Sequence, residues 1–114
     1  MSAPGAAALI AAARAWRAAD PDPATRAQMD EVVARADPGE LEELVGRSLR
    51  FGTAGLRAPL GPGPNRMNRL VVRRTAAALA QHLRSTAGDG VLVVVGHDAR
   101  HGSERFAHDV VEVL

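Results

Sequence analysis

Cysteine is absent from this 114-residue chain, and so are lysine and tyrosine. Without cysteine there is no disulfide framework and no thiolate metal centre. Aromatic residues make up only 3%, namely Trp16, Phe51 and Phe106. Any core must therefore be built from Ala, Val and Leu, and the many alanines each bury little surface. No apolar run approaches the length that spans a bilayer. The alanine-rich start lacks a basic residue ahead of its apolar stretch, and Arg14 and Arg17 interrupt it, so it does not read as a secretory leader. A cytoplasmic location is the expectation. An excess of one charge sign is also missing: the net charge is +1. With arginine as the sole strong base and acids scattered between, the composition argues against nucleic acid or a membrane as partner. It favours bidentate recognition of small anions or a solvated surface.

What is present suffices for one small domain. Residues 6–19 read as a helix with Leu9, Ala13 and Trp16 on one side, and Trp16 as a packing residue. Asp20-Pro21-Asp22-Pro23 breaks it. Asp22 as cap and Pro23 at the first helical position predict a second helix to about Ala36. Asp37, Pro38 and Glu40 repeat the device as a capping box and predict a third helix to Gly46. From Leu49 the texture changes: a strand near Phe51 runs into a Gly- and Pro-rich loop. Asn68 is expected to cap a helix over 69–85 with Leu70, Val72, Leu79 and Leu83 on its apolar face. Val91 to Val95 is an uninterrupted Val/Leu run, as in a strand buried on both faces. Ser103 is expected to cap a last helix carrying Phe106, Val110 and Leu114. That helix meets no stop signal at Leu114, which is the pattern expected of truncation.

Two places could carry chemistry. The sequence Gly96-His97-Asp98-Ala99-Arg100 between the Val91–Val95 run and a helix start outlines a phosphate site. Free N–H groups and the dipole favour an anion there, and Arg100 adds a planar fork. The competing reading is that Asp98 and Arg100 pair to fix the loop. In Phe51-Gly52-Thr53-Ala54-Gly55-Leu56-Arg57, the two glycines let backbone approach a ligand while Thr53 and Arg57 present a hydroxyl and a guanidinium; an ordinary loop is the competing reading. His97 and His101 are four apart but lack a third metal ligand. Ser103, His97 and Asp98 lack a nucleophile elbow. Gly61-Pro62-Gly63-Pro64 is no nucleotide fingerprint, because proline has no N–H to offer a phosphate. There is no Walker sequence, and His82 reads as structural.

Taken in order, Phe51-Gly52-Thr53-Ala54-Gly55-Leu56-Arg57-Ala58, Met67-Asn68 and Gly96-His97-Asp98-Ala99-Arg100-His101-Gly102-Ser103 with Phe106 resemble the α-D-phosphohexomutase superfamily. The likeness is to its phosphoglucomutase, phosphomannomutase and phosphopentomutase branch, and it covers about Trp16 to Leu114. Alanine at Ala58, where many members have glycine, also occurs in that branch. The resemblance implies an α/β fold: a helical lead-in over 1–48 and, over 49–114, an incomplete mixed α/β sheet domain, the first part of domain I. It implies a phosphosugar mutase that shifts a phosphoryl group between the 1- and 6-positions of a hexose phosphate, or 1 and 5 of a pentose phosphate. The phosphoryl group passes through a phosphoserine, with Mg2+ as cofactor and a sugar bisphosphate as intermediate and activator. Thr53 and Arg57 would line the cleft and Arg100 would hold the phosphoserine's charge. The phosphoserine loop, the aspartate-rich magnesium loop and the sugar-recognition loops have no counterpart in these 114 residues. No catalytic or metal-ligating residue is therefore expected here, and the segment alone is expected to be inactive. A sheet lacking its neighbours should also expose apolar surface at its edge and along the last helix. A non-catalytic phosphate- or nucleotide-binding module using Arg57, Arg100 and the Ser103 helix start is the alternative, followed by an interaction protein that oligomerises through its alanine-rich helices.

Overall fold

The computed structural model describes residues 5–114, which fall into two compact units, one ending at Leu70 and one spanning Val71–Leu114. Five helices are formed: α1 Ala6–Ala19, α2 Pro23–Arg35, α3 Pro38–Val45, α4 Arg69–Ala87 and α5 Ser103–Val113.

In the first unit the proline punctuation works as the sequence suggests. The carboxylate of Asp22 accepts from Ala24 N at 3.0 Å and that of Asp37 accepts from Gly39 N at 3.0 Å, each with proline at the first turn. These bonds satisfy N–H groups that a helix start leaves open. Glu40 does not complete a capping box. Its carboxylate is taken by Arg35, with Nη2–Oε2 at 2.9 Å. Asp20 does more than break α1: it is buried, and accepts from Asp22 N at 2.9 Å and from the Thr25 hydroxyl. The three helices pack on one another through Leu9, Ala13 and Trp16 of α1, Met29 and Val32 of α2, and Leu41 and Leu44 of α3. Alanine at position 13, fully buried, lets the helices approach closely, so small residues set the spacing of this core.

Leading out of α3, the proline-rich loop is tied down by backbone bonds. Leu49 N donates to Pro64 O at 3.1 Å, Met67 N to Pro59 O at 2.9 Å and Gly61 N to Met67 O at 3.2 Å. Asn68, buried at the entrance to α4, donates its side-chain amide to the carbonyls of Gly61 and Gly63, at 2.9 and 2.7 Å. A loop without regular pairing thus has its inward carbonyls satisfied by one asparagine, as buried polar groups require.

In the second unit α4 buries Val71, Ala76 and Ala80, whereas Leu79, expected on the apolar face, is exposed. On α5 the fully buried residue is Asp109, while Phe106, Val110 and Leu114 are half-buried. Asp109 accepts from Arg73 Nη1 of α4 at 3.0 Å, and the same nitrogen contacts Glu112. An ion pair, rather than the apolar stripe alone, joins these helices. His82 is exposed and does not serve the core.

The expected mixed sheet is not formed among the described residues. Near Phe51 the pairing amounts to one bridge between Gly52 and Gly55. Val91–Val95 is unpaired, with no ladder on either side. Its exposure alternates: Leu92 and Val94 are 89% and 88% exposed, against 43% and 38% for Val91 and Val93. This is the period of a strand with one face turned to its own unit and the other bare. On the covered side lies an open groove of about 300 Å³ lined in part by Ala80, Leu83, Val91, Val93, Val95 and Val111. A strand needs neighbours to satisfy its backbone, and a lone five-residue run cannot make a sheet. Val111 is also exposed, so apolar surface continues along α5.

Candidate functional site

The loop that follows Val91–Val95 is organised by Asp98. Its Oδ1 accepts from Arg100 N at 3.0 Å and from the Ser103 hydroxyl at 2.8 Å; its Oδ2 accepts from Arg100 Nε at 2.7 Å, with Arg100 Nη2 also at 2.7 Å. Ser103 is therefore not the cap of α5 but its first residue. The cap position is Gly102, whose φ of 84° lies in the left-handed region that glycine enters without strain, and it makes no side-chain capping bond. The Ser103 hydroxyl, turned to Asp98, braces the loop.

The pairing of Asp98 with Arg100 leaves the arginine side chain 83% exposed. One edge of the guanidinium is oriented by the carboxylate, and among the described residues Nη1 makes no bond to another side chain. A planar donor held in place in this way is preorganised for an oxyanion. The loop-fixing reading and the anion-binding reading are thus compatible. Arg100, His101, Glu104, Arg105 and His108 border a shallow depression of about 470 Å³ at the start of α5. Arg105 and His108 are functional candidates that the motif reading missed. Arg105 and His108, three apart, share one face of α5, and that spacing within the predicted helix could have revealed them.

The Asp98 carboxyl is held well below the usual carboxylate range, first by the Arg100 side chain, then by the Arg100 N–H and the Ser103 hydroxyl. Arg100 is correspondingly raised by the same pair. An acid depressed in the folded state contributes order above its unfolded pKa of ~3.9, and that order is lost as pH falls through the lower folded value. In a carbon-detected NMR titration Asp98 should remain ionised well below pH ~3.9, with the loop intact. Titration at an ordinary aspartate value would contradict the geometry.

Thr53 sits in a tight turn closed by two backbone bonds, Gly55 N to Gly52 O at 3.0 Å and Gly52 N to Gly55 O at 3.3 Å. Gly55, at φ 88°, supplies the left-handed residue that this turn needs. Thr53 and Arg57 are both exposed. They belong to the first unit and Arg100 to the second. His97 lies with Nδ1 3.0 Å from Asp98 O, an imidazole–backbone contact. Among the described residues no three His, Asp or Glu side chains are grouped to hold a metal ion. No described helix is long and apolar enough to cross a membrane.

Residues 48–114 match the family described as phosphoglucomutase/phosphomannomutase, alpha/beta/alpha domain I. The chain is 37% identical over 92 residues to a phosphoribomutase of Saccharomyces cerevisiae, covering 81% of this chain and 15% of the relative. It is 41% identical over 66 residues to a phosphoglucomutase of Staphylococcus haemolyticus, covering 58% and 12%. With a phosphopentomutase of Mus musculus it shares 34% over 97 residues, covering 79% and 16%. The chain thus spans about a sixth of the length of such relatives. No solved structure matches. With more than half its residues matched to domain I, and with the Phe51–Ala58 and Gly96–Ser103 segments inside the match, the chain belongs to the phosphoglucomutase/phosphomannomutase family of the α-D-phosphohexomutase superfamily.

Proposed function

We propose that this chain is part of a phosphosugar mutase, with residues 1–48 as a helical lead-in and 49–114 as the first part of domain I. In the proposed reaction a phosphoserine gives its phosphoryl group to a hexose or pentose phosphate. The resulting bisphosphate reorients and returns its other phosphate to the serine. The proposed phosphoserine belongs to a loop that has no counterpart in these residues; Ser103 donates its hydroxyl to Asp98 and is committed to the loop. Thr53 and Arg57 line the cleft. Arg100, oriented by Asp98, neutralises the phosphoserine, and this chain's share of the work is electrostatic and positional. Magnesium supplies charge neutralisation in such transfers. The described residues do not group three ligands for it, so none of the steps assigned to this chain runs through the ion. The cytoplasm is the proposed location.

The observation that carries this reading is the domain I match over 48–114, which contains all three proposed site residues. The polypeptide made from the whole reading frame that holds this segment should interconvert the phosphates of glucose, mannose or ribose. Arg100→Ala should lower kcat/KM by roughly 10²–10³, the size typical of one preorganised donor to a developing charge. A well-folded protein inert toward all three sugars would sink the proposal. The 114 residues alone should be inactive. The depression around Arg100 and Arg105 also favours a second reading, a non-catalytic anion module. Saturable binding of inorganic phosphate by the inert full-length protein would select it.

A further inference from the structure

We infer that Asn68 is a positioning residue for Arg57: its buried amide sets where the backbone carrying that arginine stands, and it acts on the reaction through the guanidinium. The inference rests on the mutase reading of the chain. It starts from a contrast between two arginines of the proposed site. Arg100 is oriented by a carboxylate of its own loop, that of Asp98. Arg57 is exposed, and among the described residues its side chain makes no ion pair or hydrogen bond. A long side chain of this kind is aimed by its backbone alone, so backbone placement decides how much order must be gained when an anion binds.

The backbone is fastened differently on the two sides of Arg57. Before it, the Gly52–Gly55 turn closes on itself through two backbone bonds. After it, Pro59 O accepts from Met67 N at 2.9 Å and Gly61 N donates to Met67 O at 3.2 Å, which makes a parallel bridge of Leu60 with Met67. This second fastening joins the outgoing and returning arms of the 57–68 loop, and Asn68 follows directly on the returning arm. Its Nδ2 donates to Gly61 O on the outgoing arm at 2.9 Å and to Gly63 O at the bend at 2.7 Å, with Arg66 O at 3.3 Å. Asn68 is only 2% exposed, so water does not stand in for these bonds. An amide nitrogen carries two hydrogens and ties two carbonyls at once; a serine hydroxyl ties one and a carboxylate none. A helix start would accept serine or aspartate as readily as asparagine, so the bridge makes a demand that capping does not. The bend is anchored as well. Asn65 Nδ2 donates to Glu43 O in the last turn of α3 at 2.7 Å, so the loop takes its reference from the helical core of the first unit.

The test is a double-mutant cycle in kcat/KM on the polypeptide of the whole reading frame. Asn68→Ser keeps an oxygen at the head of α4 but only one donor. It should lower kcat/KM about tenfold while circular dichroism stays as in the parent, because small misplacements of a charge-stabilising group are costly. In an Arg57→Ala background the same change should cost less than about twofold, since the group it positions is gone. In a Thr53→Ala background it should again cost about tenfold, because the turn that holds Thr53 closes on itself. Asn68→Gln keeps both donors and moves them by one methylene; should the serine variant not fold, the cycle is run with glutamine and should show the same pattern. Equal losses in the parent and Arg57→Ala backgrounds would overturn the proposal and leave Asn68 a purely structural residue. So would equally strong coupling to Thr53, or no loss of activity at all. An inert parent polypeptide, by contrast, would sink the mutase reading itself and this role with it.

Discussion

Gly63→Ala should destabilise the first unit by about 3 kcal/mol, a large share of the stability of a small domain. Gly63 has φ 97°, where a side chain is strained. A Cβ at this position would collide with the carbonyl oxygen of Leu44 and lie 3.1 Å from its carbonyl carbon. Neither neighbour can yield cheaply. Leu44 is in the core at the end of α3, and its carbonyl also accepts from Asn65 N at 3.4 Å. The Gly63 carbonyl is fixed in turn, accepting from the Asn68 amide and from Arg66 N. Backing away from Leu44 would break the bonds that shape the loop into α4. Trp16, the chain's single tryptophan, is buried in this unit and reports its unfolding by fluorescence in a denaturant series. Gly5→Ala is the control. Gly5 has φ −70° and open space where the added methyl group would stand, so this variant should stay within about 0.5 kcal/mol of the parent. If the two substitutions proved equivalent, the close approach of the loop to α3 would be wrong.

Asp109→Ala should be the most damaging single change in the second unit. Asp109 is fully buried and joins α5 to α4 through Arg73. Removing a buried partner leaves its counter-charge facing a desolvated gap. Part of the loss is offset, because Arg73 keeps Glu112 and is 32% exposed at its side chain. Amide exchange of α5 should accelerate at least about tenfold, the factor for each ~1.4 kcal/mol of lost protection. Asp109→Asn, which retains an acceptor without the charge, should lose less. Glu112→Ala should lose least, since that carboxylate is 64% exposed and surface pairs contribute little. Glu112 is held below the ordinary carboxylate range by Arg73. Its contribution is therefore present at neutral pH and disappears as pH falls through that lowered value. Equal exchange in all three variants would mean that α5 is docked by its apolar residues alone.

Both residues show where sequence reasoning stops. Position 63 reads as one glycine among several in a proline-rich loop, and its necessity arises from the carbonyl of Leu44, far back along the chain. Position 109 lies between Phe106 and Val110 of the apolar stripe read from the sequence, with nothing local to mark it as buried. Its burial depends on Arg73, an arginine on another helix. The same holds for Asn68, whose cap-like place before α4 is legible but whose amide serves three residues of the preceding loop.

Local chemistry settled much of the rest. The five helices follow from the 3.6-residue period, and the starts of α2 and α3 from aspartate and proline, because capping and periodicity act within a few residues. The ordered motifs around Thr53, Arg57 and Arg100 carried the family resemblance for the same reason: each is a short contiguous stretch. Tertiary structure alone decided three matters. Ser103 braces Asp98 and leaves the cap to Gly102, since a hydroxyl goes to the strongest acceptor in reach. Arg105 and His108 of α5 join Arg100 of the preceding loop around one depression, because the loop turns back beside the helix start. Val91–Val95 forms no ladder among the described residues: a run of β-branched residues favours a strand, but a ladder exists only where a second strand supplies the other half of each hydrogen bond.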